Sequence, residues 1–322
     1  GVAGNSDAYQ VGTTIFGDLT QEPGDWRDKQ LFTASRGEID RVTLLPGSLL
    51  PGGGEKVLLA RRGDDFWIES PLTDRADDDA VNSLLTEITG LRIETFLDEP
   101  LLDTASLGLE PASGVIEVQL AGREAPFRFE LGQAKEGSDG TFYGRESGQL
   151  FELATQLGDS LATPASAWRS KAWTSTQVFK IESARLEDAE GVLEVSREDA
   201  DWKRGEERIA YSAVSDFLYP LTEVKGEEII DRQAAIDRGY DLENPELTVA
   251  LVTEDTSEEL TLFAAQGDLA AATTEGRDAV LLLPQEKVSE IREKLGALRA
   301  AEPLPEENAE AVDDTSDEST EP

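Results

Sequence analysis

The chain of 322 residues contains one segment twice, and this duplication limits its possible folds more than any other feature. Three pairs of segments match in the same order: residues 57–67 with 192–202, residues 81–91 with 214–224, and Leu109-Glu110 with Leu242-Glu243. The offset is 135 for the first pair and 133 for the other two. A repeat of this length is the size of a whole domain, so the chain is not a short-period solenoid. The sequence predicts two tandem modules.

Most of each module has the pattern of β-strands. Phe127, Phe129 and Leu131 alternate with the charged Arg128 and Glu130, which is typical of a half-buried antiparallel strand. The other predicted strands lie near residues 39–45, 57–60, 66–68, 115–120, 141–143 and 150–153, and near residues 178–186, 192–197, 202, 247–252, 260–264 and 279–283. A short helix before Pro164 and a helix over residues 287–298 close the modules.

One main helix is predicted in each module. In the first, apolar side chains follow one another at i, i+3, i+4, i+7 and i+10, which places them on one helical face: Val81, Leu84, Leu85, Ile88 and Leu91. The matching second helix, residues 214–224, contains Pro220, which should kink or shorten it. Gly90 is interpreted as a stop signal at the end of the first helix. Three aspartates, residues 77–79, precede it as caps, or less plausibly as a calcium site, because they lack the alternating spacing of a calcium loop.

These patterns predict an α+β protein with two tandem copies of a mainly antiparallel β-sheet module, each with one main helix packed on its sheet. The predicted boundaries are an N-terminal arm or linker (1–35), the first module (36–173), the second module (174–300) and a disordered acidic tail (301–322). Trp168 and Trp173 join the copies, and we expect them to pack between the modules rather than form a binding patch.

Composition excludes several classes of function. The net charge of -38 argues against binding to nucleic acid or directly to an anionic membrane surface, because both carry negative charge. The chain has no Cys and no His, which rules out thiolate metal sites and a Ser-His-Asp triad. No apolar run reaches the roughly 18 residues of a membrane helix. The acidity fits either adaptation to high salt or an ordinary acidic protein with few lysines.

No motif identifies a catalytic, cofactor-binding or metal-ligating residue, and none is proposed from the sequence. The glycine-rich residues 52–56 lack the spacing of a phosphate loop. Trp67, Trp202 and Tyr143 are able to stack on sugars, but their strand positions favour packing in the core. A hydrolase with two catalytic carboxylates needs neither His nor Cys, yet among 67 acidic residues no pair stands in a recognisable motif.

The order of these elements resembles a bacterial family known as domain of unknown function 4340. The resemblance covers roughly residues 31–298 and depends on short structural motifs: the Trp67 strand, Ala76-Asp77 before the Leu84-Leu85 helix, the turn at Leu107-Gly108-Leu109, the Leu131-Gly132 strand end, the Tyr143 strand and the Arg169-x-Lys171 exit. It implies an extracytoplasmic location, an N-terminal membrane anchor preceding this chain, and a gene neighbourhood with an ABC transporter of the gliding-motility type. The family has no established activity.

Two functions are therefore expected. The first is a non-enzymatic extracytoplasmic accessory or scaffold protein of an ABC-transporter-type membrane complex, with transporter subunits as partners and no cofactor. The alternative is an extracellular ligand-binding module for a polysaccharide, a peptide or a divalent cation.

Overall fold

The chain folds into two compact units, divided between Ser170 and Lys171. The computed structural model describes residues 27–48, 54–98 and 102–305. Each unit contains one nine-stranded antiparallel sheet and helices, so the predicted α+β class with two tandem modules is confirmed. Most of the predicted N-terminal arm, two residues of the glycine-rich segment 52–56 and most of the predicted acidic tail lie outside the described residues.

The described part of the first unit contains nine strands and two α-helices. The strands are β1 (Ile39–Pro46), β2 (Val57–Arg62), β3 (Asp65–Ser70), β4 (Asp74–Arg75), β5 (Ile93–Leu97), β6 (Gly114–Leu120), β7 (Phe127–Ala134), β8 (Thr141–Glu146) and β9 (Gln149–Ala154). The helices are α1 (Asp78–Gly90) and α2 (Leu157–Ala162). The core lies between the sheet and these two helices and includes Val42, Leu84, Ile88, Phe129 and Leu161.

Up to residue 305, the second unit contains nine strands and three α-helices. The strands are β10 (Ser183–Asp188), β11 (Gly191–Glu198), β12 (Asp201–Arg204), β13 (Glu207–Ile209), β14 (Glu228–Asp231), β15 (Pro245–Val252), β16 (Ser257–Gln266), β17 (Leu269–Thr274) and β18 (Ala279–Pro284). The helices are α3 (Tyr211–Glu223), α4 (Arg232–Asp237) and α5 (Gln285–Arg299). Its main core lies between the sheet, α3 and α5. A smaller core lies on the opposite face of this sheet. It includes Val280 and Leu282, two alternate residues of β18, and Ala235 of α4.

The two sheets have the same topology. The strand order is β4-β3-β2-β1-β6-β7-β8-β9-β5 in the first unit and β13-β12-β11-β10-β15-β16-β17-β18-β14 in the second. Each strand of the first order is replaced in the second by the strand nine places later in the chain. All pairings are antiparallel. The duplication that the sequence indicates is therefore a duplication of a complete fold.

The main helices match at the offset found in the sequence. Helices α1 and α3 each have thirteen residues, and their first residues, Asp78 and Tyr211, are 133 positions apart. The buried side chains also match in pairs at this offset: Val81 with Val214, Leu84 with Phe217, Leu85 with Leu218 and Ile88 with Leu221. Pro220 does not shorten α3, because it falls in the last turn, where few backbone hydrogen bonds remain to be lost.

The first hairpin matches at an offset that differs by one from the ungapped alignment. Arg62 pairs with Asp65, and Glu198 pairs with Asp201, so the two hairpin ends are 136 positions apart. Consequently Phe66, rather than Trp67, is the counterpart of Trp202, and both are buried. A shift of one residue turns every side chain of a strand to the other face, and only the larger offset brings the buried positions of both copies together.

The third pair of matched segments, Leu109-Glu110 with Leu242-Glu243, is also not equivalent in the structure. Gly108 and Gly239 both have positive φ, at 69° and 91°. Gly108 N donates to Ala105 O, as Gly239 N donates to Ile236 O. The next residue in each copy, Leu109 or Tyr240, donates to the carbonyl five positions back and is buried. This is the hydrogen-bond pattern that ends a helical turn on a left-handed glycine. Leu109 is thus equivalent to Tyr240, not to Leu242.

In each unit, a segment ahead of the first strand forms a backbone hydrogen bond with the residue that follows the main helix. Leu31 N donates to Leu91 O at 3.0 Å, and Trp173 N donates to Val224 O at 3.3 Å. Phe32 is buried in the first core, and Leu31 packs against that core, as their apolar character suggests. Trp168 packs in the core of the first unit and Trp173 in the core of the second.

Several elements escaped the sequence patterns. The strands β4, β5, β13, β14 and β17 and the helix α4 were not predicted. Strands β5 and β14 and helix α4 are short and only partly buried, and β4 and β13 have only two and three residues. The predicted strand over residues 178–186 is a 3-10 turn, Val178–Lys180, followed by β10. Gly90 does not end α1 in a left-handed conformation; it is the last helical residue, and Leu91 follows with φ of -58°.

Candidate functional site

A cleft in the first unit runs along one flank of α1. It has a volume of about 990 Å³ and lies between α1, α2, the β8 and β9 ends of the sheet, and Trp168. Such a volume is at the upper end of the range for small-molecule sites. We call it the α1 cleft. The residues that line it include Asp79, Ser83, Glu87, Thr155, Asp159 and Trp168.

The cleft exists because the two units end differently. Helix α2 has six residues and ends before Pro164, whereas its counterpart α5 has fifteen and packs along α3. Proline lacks an N–H and blocks continuation of a helix, so the chain leaves the first sheet after fewer turns. After these helices the backbone of each unit pairs with equivalent edge strands: Ser170 N donates to Arg75 O of β4, and Leu304 N donates to Arg208 O of β13.

Backbone and side-chain contacts of the last residues of the first unit hold Trp168 in place. The backbone N–H of Asp77 donates to Trp168 O at 2.7 Å, and Ala76 and Arg169 form an antiparallel bridge. Arg169 Nε lies 2.6 Å from Asp74 Oδ2, and the Asp74 side chain is fully buried. The motifs Ala76-Asp77 and Arg169-x-Lys171, far apart in sequence, thus meet at one end of α1.

Trp168 also carries an unusual polar group. The residue is 4% exposed, and its indole N–H has no hydrogen-bond acceptor among the described residues. A buried indole N–H usually finds an acceptor, because leaving it unpaired costs free energy. By contrast, Trp173 Nε1 donates to Thr273 O at 3.0 Å in the second unit.

The rest of the cleft surface is rich in hydrogen-bond acceptors. Four carboxylates line it: Asp79, Glu87, Asp139 and Asp159. Among the described lining residues there is no Lys or Arg. Glu87 Oε1 accepts hydrogen bonds from Thr155 Oγ1, at 2.6 Å, and from Gln156 N, which fixes this carboxylate against the β9 end of the sheet. The surface is therefore negatively charged and partly rigid.

Most hydroxyl groups of the cleft donate hydrogen bonds to backbone carbonyl groups of the protein. Ser83 Oγ donates to Asp79 O at 2.8 Å, and Thr163 Oγ1 donates to Asp159 O at 2.8 Å. A hydroxyl that donates in this way still has lone pairs for accepting a hydrogen bond. These groups therefore add to the acceptor capacity of the surface.

The aspartates before α1 act as helix caps. Asp77 accepts a hydrogen bond from Ala80 N at 3.0 Å, which is the N-cap geometry predicted from the sequence. Partial burial and the neighbouring Asp65 raise the pKa of Asp78 above its ordinary value. No group of three or more potential metal ligands is arranged for a metal ion within the described ranges.

The aromatic residues considered for sugar stacking lie elsewhere. Trp202 is buried in the second core. Trp67 is half-buried under the Arg62 guanidinium, whose carbon lies 4.9 Å from the ring centroid, and Tyr143 is half-buried on β8. None of the three lines the α1 cleft. The sequence singled out Trp168 only as a linker residue; the contrast between Pro164 and the uninterrupted α5 pattern was the signal for a cleft beside it.

Comparison with known families identifies the class of protein. The family model described as Domain of unknown function (DUF4340) matches residues 2–101 and 67–245. These matches cover more than half of the chain, so the chain belongs to this family. No curated protein and no solved structure matches it. None of the described helices is long and apolar enough to cross a membrane.

Proposed function

We propose that this protein is a non-enzymatic accessory or scaffold protein that acts outside the cytoplasm in a membrane complex of the ABC-transporter type. Family membership over residues 2–245 is the observation that carries the proposal. The resemblance to this family implies a gene neighbourhood with such transporters. The duplicated fold supports it, because two units of one topology offer related surfaces to a multi-subunit partner. The net charge of -38 favours association with basic surfaces.

Crosslinking in the native host tests this proposal. The tagged full-length protein is crosslinked in intact cells, purified under denaturing conditions and examined by mass spectrometry. Recovery of transporter membrane or nucleotide-binding subunits above the level of a tagged, unrelated extracytoplasmic protein is the expected result. Repeated recovery of no membrane subunit would reject the accessory role.

A second candidate function is an extracellular ligand-binding module. The α1 cleft favours it, because it combines a volume suited to a small ligand with a buried indole N–H that lacks an acceptor. Calorimetry of the purified protein against oligosaccharides, peptides and Ca²⁺ tests this function. Heat from one class that disappears when the cleft is blocked is expected, and absence of heat from all three would reject it.

A further inference from the structure

We infer that the α1 cleft binds a neutral, hydroxyl-rich ligand of the oligosaccharide class. The inference rests on the second candidate function above and specifies its ligand. It does not depend on the accessory role.

The cleft is particular to the first unit. In the second unit α5 continues for fifteen residues and packs along α3, with Leu295 and Leu298 buried in the core. In the first unit α2 stops after six residues, and Trp168 supplies core packing near the same end of the sheet. Among the described residues, a helix therefore covers this flank in the second unit and none covers it in the first.

The charge of the cleft excludes anionic ligands. Asp79, Asp139 and Asp159 are exposed in its walls, and no described basic residue lines it. Like charges at such short range repel, and the net charge of the whole chain adds to the repulsion. Ligands with many hydrogen-bond donors are favoured, because carboxylates and hydroxyl lone pairs are acceptors.

The indole N–H of Trp168 sets a second requirement, because it is a donor and needs an acceptor. A metal cation or a simple ammonium group has none to offer. A hydroxyl group both donates and accepts, so a sugar satisfies the carboxylates and the indole with one kind of group. The N–H is shielded from solvent. The inference therefore requires that ligand binding displaces the side chains that cover it.

Nuclear magnetic resonance of the indole groups provides a direct test. The chain has five tryptophans, so the ¹H–¹⁵N spectrum of the full chain contains five indole signals, and Trp168→Phe identifies the signal of Trp168. The probes are neutral oligosaccharides of glucose, mannose, xylose and N-acetylglucosamine. With at least one of them the Trp168 signal should move downfield in a saturable titration.

A matched pair of variants locates the binding. Ser83→Tyr places a ring in the cleft, and Asp216→Tyr places the same ring at the equivalent exposed position of α3. Ser83→Tyr should weaken binding at least tenfold, whereas Asp216→Tyr should leave it unchanged. Asp159→Lys, at another exposed wall position, serves as a second blocking variant. Melting curves of all variants establish that they are folded.

Three results would overturn the inference. Equal binding by Ser83→Tyr and the unchanged chain would place the ligand outside the cleft. A Trp168 shift with a basic peptide such as tetralysine, but with none of the sugars, would mean that the ligand class is wrong while the ligand-binding function stands. Failure of every sugar, peptide and Ca²⁺ titration would remove the ligand-binding function as well.

Discussion

Arg169 and Asp74 form a buried ion pair across 95 positions of sequence. Arg169 Nε donates to Asp74 Oδ2 at 2.6 Å, and the side chains are 14% and 0% exposed. Asp74 Oδ1 also accepts from Arg75 N at 2.8 Å. The pair joins β4, which precedes α1, to the last residues of the first unit. Because Trp168 directly precedes Arg169, the pair also helps to fix the position of Trp168.

Removing the cation from this pair should be costly. Arg169→Met keeps most of the side-chain volume but leaves the buried Asp74 carboxylate without its guanidinium partner. We expect the free energy of unfolding of the first unit to fall by about 3 kcal/mol. Urea unfolding of the full chain, followed by tryptophan fluorescence, measures this change.

The control for this prediction is Arg185→Met. Arg185 pairs with Glu187 at 3.9 Å on the surface, where both side chains are more than half exposed. Exposed pairs of this kind contribute less than about 1 kcal/mol. An equal effect of both substitutions would mean that burial of Asp74 does not determine the cost.

The two tryptophans beside the unit boundary offer a matched comparison. Trp168 and Trp173 are both almost fully buried, so Trp→Phe removes the same volume at each site. Only Trp173 donates a hydrogen bond, to Thr273 O, which would lose its partner. We therefore expect Trp173→Phe to cost about 1 to 2 kcal/mol more than Trp168→Phe in the unfolding free energy. Equal costs would indicate that the Trp168 N–H has an acceptor.

The parts of the fold predicted best were those with strong local patterns. The apolar face of α1, from Val81 to Ile88, and its copy in α3 follow the helical period without interruption, and all of these positions are buried as expected. The alternation in β7 was equally clear. Hydrophobic periodicity records which face of an element is buried, and both elements have one buried and one exposed face.

The cleft and the exact repeat register depend on information that local patterns do not contain. The pairing of Arg62 with Asp65 shows the hairpin offset to be 136, but a match of Trp67 with Trp202 scores better in sequence because the two residues are identical. The cleft results from two features: α2 is shorter than α5, and Trp168 packs beside α1. The second feature brings together segments that are distant in sequence. Edge strands such as β5 are too short and too exposed to give a period.

Glu130 should make stability depend on pH. Its carboxylate accepts from Arg128 Nη1 at 2.7 Å and from Arg145 Nε at 2.6 Å. Burial alone would raise the pKa of Glu130, but these two guanidinium groups hold it below the ordinary value of 4.5. A carboxyl whose pKa is lower in the folded state stabilises the fold above its unfolded pKa and loses that effect as the pH falls through the folded value.

We therefore expect Glu130→Gln to lower the unfolding free energy by about 1 kcal/mol at pH 7. The difference from the unchanged chain should begin to shrink near pH 4.5 and continue to shrink at lower pH. Unfolding curves at several pH values measure it, with Glu187→Gln on the surface as the control. A difference that stays constant down to pH 3 would contradict the assignment to this carboxylate.

Gly144 and Gly90 should respond in opposite directions to the same substitution. A Cβ on Gly144 would overlap the ring of Phe151, which is fully buried in the first core. A Cβ on Gly90, the last residue of α1, would meet nothing within 4 Å. Gly144→Ala should cost about 1 to 3 kcal/mol through overpacking, and Gly90→Ala should gain about 0.5 kcal/mol through lower chain entropy. Thermal melting of the two variants distinguishes these outcomes, and a harmless Gly144→Ala would show that Phe151 is free to move.

The start of the second unit can be tested with two fragments that differ by three residues. Ala172 and Lys225 form a bridge, Gly226 N donates to Lys171 O at 2.8 Å, and Trp173 is fully buried in the second core. A fragment of residues 171–305 keeps these interactions, whereas a fragment of residues 174–305 begins at the boundary expected from sequence and loses them. Loss of a buried tryptophan costs about 3 to 5 kcal/mol. We expect the longer fragment to unfold cooperatively in urea, and the shorter one to have a much lower midpoint or no folded state; similar midpoints would show that residues 171–173 are not part of the second unit.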